Sequence, residues 1–328
     1  MMCCVQLVAC VLLFQESPQG LYREIVNERI KTRQEIVTLT ITGSKFVGGV
    51  PFEYEEMSKQ DLDSLISAVG TLVEAEGDAT RHDHLKPVSR TALTAVTDPL
   101  FPSGGNELRP TTPTGGWRKF RIVEDSGKVR VDDGDVSVVR KNGAEDRYDP
   151  RLKQASVFAS HTGLIVETID TFFPIGGVGD LNNIDDWEVK GQGEILTLVS
   201  GDLEVSLDTK KRFVTHSKQH QSGGRPIELF QYLPVSLTSK VKIPRCMAQI
   251  RSFKDGKIAS LNIYVIDTID LNLPIAEDEF ALSVPEGTRI AKFPNGESLN
   301  GVRVSKAKGA VENVRQTAQS PKFRAPPS

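Results

Sequence analysis

Lys119-Phe-Arg-Ile-Val-Glu-Asp-Ser-Gly-Lys-Val-Arg-Val-Asp-Asp-Gly-Asp-Val-Ser-Val-Val-Arg-Lys-Asn-Gly143 decides how the chain is read. Apolar and polar residues alternate over Phe120–Glu124, Lys128–Asp132 and Val136–Lys141, the period of a half-buried strand. Ser126-Gly127, Asp133-Gly134 and Asn142-Gly143 punctuate them. These are residue pairs that accept the positive φ a tight hairpin turn needs. Three strands joined by such short turns make an antiparallel meander.

The same grammar continues on both sides. Downstream, strands are expected at Gly163–Asp170, Glu188–Lys190, Glu194–Val199, Leu203–Asp208, Arg212–His216, Ile227–Tyr232, Met247–Phe253 and Lys257–Ile266. Turns at Ser200-Gly201-Asp202, Asp208 to Lys210 and Asp255-Gly256 separate several of them. Upstream, Ile36 to Thr42 alternates apolar residues with Thr. Gly43-Ser44 reads as a turn, and Lys45–Val50 as a returning strand. Many short strands with tight turns imply one broad sheet or an open barrel.

Two segments carry a helical period instead. Leu21, Ile25, Val26 and Ile30 predict a helix over about 21–34. Leu62, Leu65, Ile66, Val69, Leu72 and Val73 form one stripe over 58–75, with Ser58 and Asp61 placed for a capping box and Gly77 to end it. From Asp78 to Gly116 the chain is rich in Pro, Gly, Thr and Ser and is expected to be a surface excursion with little regular structure. After Asn300 six basic residues face one acid, Glu312, and an unstructured tail is expected. It is read as a solvated end, with contact to an anionic membrane surface or polyanion as the rival reading. The domain reading is therefore an export signal at 1–17, one β domain over 18–300 with an insertion at about 51–116, and a basic tail over 301–328.

Composition excludes some classes. Lys+Arg is 40 against Asp+Glu 43, a formal net charge of -3, which gives no support for nucleic-acid binding. Of 4 cysteines, Cys3, Cys4 and Cys10 fall in the first ten residues and only Cys246 lies in the body, so no internal disulfide or Cys-x-x-Cys metal site is expected. The apolar start, Met1 to Phe14, resembles the core of a secretory signal but is too short to span a bilayer. Leu7-Val8-Ala9-Cys10 resembles a bacterial lipobox, in which Cys10 carries the lipid. A buried N-terminal segment is the alternative. The expected location is outside the cytoplasm, in the periplasm or cell envelope.

No catalytic constellation stands out, and the expectation is a protein that is not an enzyme and needs no cofactor or metal. His82-Asp83-His84 lies in the polar excursion. His216 and His220 have the i, i+4 spacing of a helical zinc site but start at a strand end and run into Ser222-Gly223-Gly224. Gly176-Gly177-Val178-Gly179 lacks the βαβ setting of a nucleotide loop, and no Gly-x-Ser-x-Gly or Gly-Lys-Ser/Thr motif occurs. The acidic pairs Asp132-Asp133, Asp185-Asp186 and Glu277-Asp278-Glu279 read as solvated turns, and Cys246 as an inert thiol.

The closing segment, Ile269 to Thr288, carries Phe280, Leu282, Pro285 and Gly287 at the spacing Phe-x-Leu-x-x-Pro-x-Gly. It resembles the outer-membrane lipoprotein carrier and sorting family, as do Gly116-Trp117 with Gly127 to Asp132, and Tyr148-Asp149-Pro150. By element order the resemblance runs from Leu21 to Arg289. It implies a mainly β, α+β fold: a large antiparallel sheet curled into a half-open β-barrel with covering helices. It also implies non-enzymatic binding of lipid or lipoprotein acyl chains, or an envelope-sensor role with a protein partner and a filled core. The helices beginning at Leu21 and Ser58 are expected to lie across the hollow side. Strand alternation nominates inward residues for a ligand cavity: Leu203, Val205 and Leu207 on one strand and Leu261, Ile263 and Val265 on another. Phe120, Ile122, Val129, Val131, Leu196 and Leu198 are further candidates. Each of these residues taken singly is also a good core residue.

Overall fold

A computed structural model describes residues 17–50, 58–76, 80–102, 114–134, 136–159, 181–219, 226–253, 255–293, 303–306 and 311–313. The apolar start with Cys10, the strand expected at Gly163–Asp170, the Gly176–Gly179 run, His161 and His220 lie outside the described residues.

Helix α1 spans Pro18–Glu35. Ser17 caps it by accepting from the Gly20 N–H, and Pro18 occupies the first turn, where no N–H is needed. Strand β1 (Thr38–Gly49) follows as one continuous element. The turn expected at Gly43-Ser44 is absent. The chain runs straight through because β13 carries the irregularity: Thr42 faces Thr268 but Gly43 faces Ile266, leaving Asp267 as the extra residue of a bulge. Gly43 is required there, since a Cβ would lie 2.2 Å from the Val265 carbonyl oxygen and 2.7 Å from the Phe120 ring.

Helix α2 (Lys59–Ala75) starts with the full Ser58/Asp61 capping box. A third helix, α3 (Arg90–Thr97), capped by Ser89, lies inside the excursion expected to lack regular structure. Its Leu93, and Phe101 just after it, are fully buried. Eight helical residues are too few for periodicity to reveal; packing against α2 and hydrogen bonds to Trp117 of β2 hold them.

Strands β2 (Thr114–Asp125), β3 (Lys128–Asp133), β4 (Val136–Lys141), β5 (Ala144–Asp149) and β6 (Gln154–Phe158) form the meander. Positive φ at both Ser126 and Gly127, and at both Asn142 and Gly143, gives the paired left-handed residues of tight hairpins. The second run is β7 (Glu188–Lys190), β8 (Ile195–Ser200), β9 (Leu203–Asp208), β10 (Phe213–Gln219), β11 (Ile227–Ser236), β12 (Lys242–Ser252) and β13 (Ile258–Leu271). Then come β14 (Ser283–Pro285) and β15 (Arg289–Phe293). Two short strands, β16 (Arg303–Lys306) and β17 (Val311–Asn313), lie within the stretch expected to be unstructured. β16 pairs with β15 and β17 with β14.

One 15-stranded sheet results, in the order β16-β15-β6-β5-β4-β3-β2-β1-β13-β12-β11-β10-β9-β8-β7. It is antiparallel except where β15 joins β6, and it does not close. The expected mainly β architecture, an open antiparallel sheet with accompanying helices, is therefore present.

Cross-strand registers assign every side chain to a face. On one face α1 covers Leu198, Leu203, Val205, Leu207 and Val214, with Ile184 and Trp187. Further along that face Leu39, Ile41, Phe120, Ile122, Val131, Met247, Tyr264 and Ile266 cluster with Leu237, Val241 and Ile243. On the other face α2 and α3 cover Phe46, Trp117, Cys246, Ala248, Ile250, Leu261, Ile263 and Val265. There too the segment Glu277–Leu282 covers Val123, Val139, Ala155 and Val157. The expectation that both long helices share the hollow side is overturned: α1 and α2 lie on opposite faces. Strand period 2 puts Leu261, Ile263 and Val265 on one face and Tyr264 and Ile266 on the other, and both sets are apolar. Each face therefore needs its own cover.

The α1 face is the hollow one. The apolar half of α1 rests on β8 to β10, while Arg33 near its end pairs with Glu124 of β2. From β9 to β2 a flat sheet measures about 29 Å, whereas the helix rises only about 18 Å between Leu21 and Arg33. The sheet bends toward α1 to make both contacts.

Candidate functional site

The inner face receives most of the residues nominated from sequence. Phe120, Ile122 and Val131 are buried in its central cluster, with Val129 half-buried beside them. Leu198, Leu203, Val205 and Leu207 lie under α1, and half-buried Leu196 pairs directly with Leu207. Leu261, Ile263 and Val265 point the opposite way. They are fully buried between the sheet and α2, in the same layer as Leu62, Ile66 and Val69. The structure thus divides the nominated set between two layers.

Helix α1 is seated in two different ways along its length. Its first half is apolar: Leu21, Tyr22, Ile25 and Val26 are buried, and the Tyr22 ring lies 5.8 Å from that of Trp187. Its second half is polar. Arg29 Nη2 donates to the Lys242 carbonyl at 3.3 Å, Glu28 pairs with Lys240 at 2.9 Å, and Arg33 pairs with Glu124. Arg29 is only 2% exposed, and burial lowers its pKa to about 10. The same burial pushes the Tyr22 hydroxyl up to about 12.

A row of directly paired residues crosses the floor beneath: Arg118, Lys45, Tyr264, Met247 and Gln231, from β2, β1, β13, β12 and β11. Lys45 Nζ donates to Asp133 Oδ2 at 2.8 Å and stands 5.3 Å from the centre of the Tyr264 ring. Arg118 Nη2 reaches the same carboxylate oxygen at 2.8 Å. Phe120 meets Tyr264 edge to face at 5.9 Å. The hollow side is therefore apolar at its margins and carries in its floor two cations that share the Asp133 carboxylate.

The groups tested for chemistry from sequence are dispersed. His82 and His84 are on a short turn, His82 Nδ1 lying 3.1 Å from the Ser236 carbonyl. His216 is on the outer face, its ring 4.6 Å from Phe230 and its Nε2 3.5 Å from Glu228 Oε2. Lys59 at the start of α2 and Lys218 also reach Glu228, at 2.9 and 3.4 Å. His216 and the two lysines hold the Glu228 carboxyl down to about 2 against the opposing effect of burial. Among the acidic groups read as solvated turns, Glu277 is shared by Lys128 and Lys141, and Glu279 by Arg121 and Arg130. They strap the segment after β13 onto the outer face. Cys246 is fully buried and its thiol is pushed up to about 12. Among the described residues no three His, Cys, Asp or Glu side chains are grouped to hold a metal ion.

Sequence reasoning missed Lys45, Gln231 and Glu228, which read as ordinary polar positions of strands. A lysine in a strand flanked by Ser44 and Phe46 has no signal of burial; the partner 88 positions away supplies the reason.

No family model matches the chain, and no curated protein matches it. Several solved structures are similar to it. A "putative outer membrane lipoprotein-sorting protein domain" from Vibrio parahaemolyticus has a TM-score of 0.39 at 10% identity, covering 78% of this chain and 94% of its own. A DUF1329 family protein from Desulfovibrio piger has a TM-score of 0.36 at 9% identity, covering 79% and 96%. A LolA superfamily protein from Nitrosomonas europaea has a TM-score of 0.37 at 7% identity, covering 79% and 98%.

Proposed function

We propose that the protein is a non-enzymatic carrier of the cell envelope that takes a hydrophobic ligand, a lipid or lipoprotein acyl chain, on the hollow face under α1. One observation carries the reading, the divided seat of α1. Apolar contacts fix its first half to β8–β10, while hydrogen bonds and ion pairs join its second half to β12 and β2. Partly exposed ion pairs are weak and exchange with water at little cost. The second half can therefore lift from the sheet without unpacking the first. Apolar margins around such a cover suit an acyl chain, whose burial contributes about 0.8 kcal/mol per methylene. The apolar start of the chain, with its lipobox-like Cys10, supports export.

The test is direct. Protein purified from membranes carries lipid visible by mass spectrometry under non-denaturing conditions, and delipidated protein takes up a fluorescent fatty acid. A delipidated sample that takes up none refutes the carrier.

A second reading, a sensor or docking module with a filled core, is favoured by the outer layer, where α2 closes tightly over Leu261 and Ile263. It gains if the delipidated protein is as stable as the isolated one and a protein partner is recovered in its place.

A further inference from the structure

Strands β10 and β11 are paired over His216–Gln219 and Ile227–Phe230 only, although β10 extends back to Phe213 and β11 onward to Ser236. Beyond the pair His216–Phe230 the sheet forks. Each arm carries an irregularity at that point. In β10 the register to β9 slips between Val214 and His216, leaving Thr215 as a bulge. In β11 Leu233 adopts φ 54°, a left-handed conformation that a branched side chain avoids, and Pro234 then faces Pro244 of β12. Strained backbone of this kind gathers at sites that receive a ligand.

Gln231 is the first residue of the fork on the hollow face. It is 2% exposed, and neither its Nε2 nor its Oε1 has a hydrogen-bond partner among the described residues. A buried amide left bare is rare and costly, and it calls for an occupant. Its cross-strand neighbour is Met247, followed by Tyr264. An ionised carboxylate or phosphate offers acceptors only and leaves the Gln231 Oε1 bare, whereas an uncharged group with a donor and an acceptor matches the amide at both atoms.

We propose that the β10–β11 fork is the polar end of the ligand site, where Gln231 hydrogen-bonds an uncharged donor–acceptor group, such as a carboxamide, on an otherwise apolar ligand. The inference rests on the carrier reading above and specifies which amphiphile it takes.

Dodecanamide and tridecane, of nearly equal length, are compared as competitors against 1-anilinonaphthalene-8-sulfonate on the full delipidated chain. The wild type is expected to bind the amide about tenfold more tightly, a difference of about 1.4 kcal/mol. Gln231→Leu and Gln231→Met are expected to reduce the ratio below about twofold while tridecane binding holds. Both variants should fold, because an apolar side chain of similar size replaces an amide without partners. Equal affinities in the wild type, as when water alone satisfies the amide, overturn the proposal and leave the carrier reading standing. So does a preference that survives in both variants. If neither probe displaces the dye, the carrier reading falls together with the proposal.

Discussion

Lys45 Nζ lies 2.8 Å from Asp133 Oδ2, with side-chain exposures of 5% and 16%, in the floor of the hollow face. The two members of this pair are not equivalent. Asp133 also receives Arg118, so it keeps a cation if Lys45 is lost. Loss of the Asp133 carboxylate instead takes a partner from two cations at once, Lys45 and Arg118. Asp133→Asn is therefore expected to destabilise by about 3–5 kcal/mol, and Lys45→Met by about 1 kcal/mol or less. Urea denaturation of both variants and the double variant checks the order; equal losses refute the asymmetry.

Gly43 of β1 lies hard against β13 on one side and the Phe120 ring of β2 on the other. A Cβ there collides with the Val265 carbonyl, which cannot rotate away. Gly43→Ala is expected to cost about 2–3 kcal/mol. Phe120→Leu in the same background should recover little, because the carbonyl clash remains. Thermal unfolding of the single and double variants reads this, and full recovery in the double variant places the strain in the ring instead.

Glu228 gives the outer face an acid-sensitive tie between α2 and the sheet. Its folded pKa, about 2, is below its ordinary 4.5. The unfolded chain therefore binds the proton first as pH falls. The stabilisation is complete above about pH 4.5 and is lost between there and about pH 2. Lys59 is 59% exposed, so water screens much of the interaction, and the contribution is about 1 kcal/mol. Glu228→Gln should be less stable than the wild type at pH 7 by that amount and converge with it near pH 2. A constant gap down to pH 2 rejects the assignment.

Trp117 Nε1 donates to Thr97 Oγ1 at 3.1 Å, and Thr97 is itself 1% exposed. This hydrogen bond joins α3 to β2. Thr97→Val keeps the shape and removes the acceptor, stranding a buried indole N–H. A loss of about 1–3 kcal/mol is expected, with a change in tryptophan fluorescence. Unchanged stability and emission show that the indole finds another partner.

Much of the architecture is readable in local patterns. The Leu203–Asp208 strand, the capped helix after Ser58 and the Ser126-Gly127 and Asn142-Gly143 turns are each specified within a few residues. The closing signature also has a local logic. Phe280 and Leu282 are buried together, and Gly287 takes φ +80° in the turn after β14. Helix α3 escaped because its eight residues gain stability from α2 rather than from their own pattern. The nominated site was only half legible for a related reason. Alternation separates two faces of a strand but does not say which face is hollow when both are apolar, as at Leu261–Ile266.

The chain by itself determined what short-range chemistry can encode: strand period, turn residues, helix caps and the mainly antiparallel class. The three-dimensional arrangement alone decided which helix covers which face, why Lys45 tolerates burial and where the ladder between β10 and β11 stops. Those outcomes depend on partners such as Lys45 and Asp133, 88 positions apart, that meet only once β1 and β3 have paired on either side of β2. Sequence spacing holds no record of a distance that folding creates.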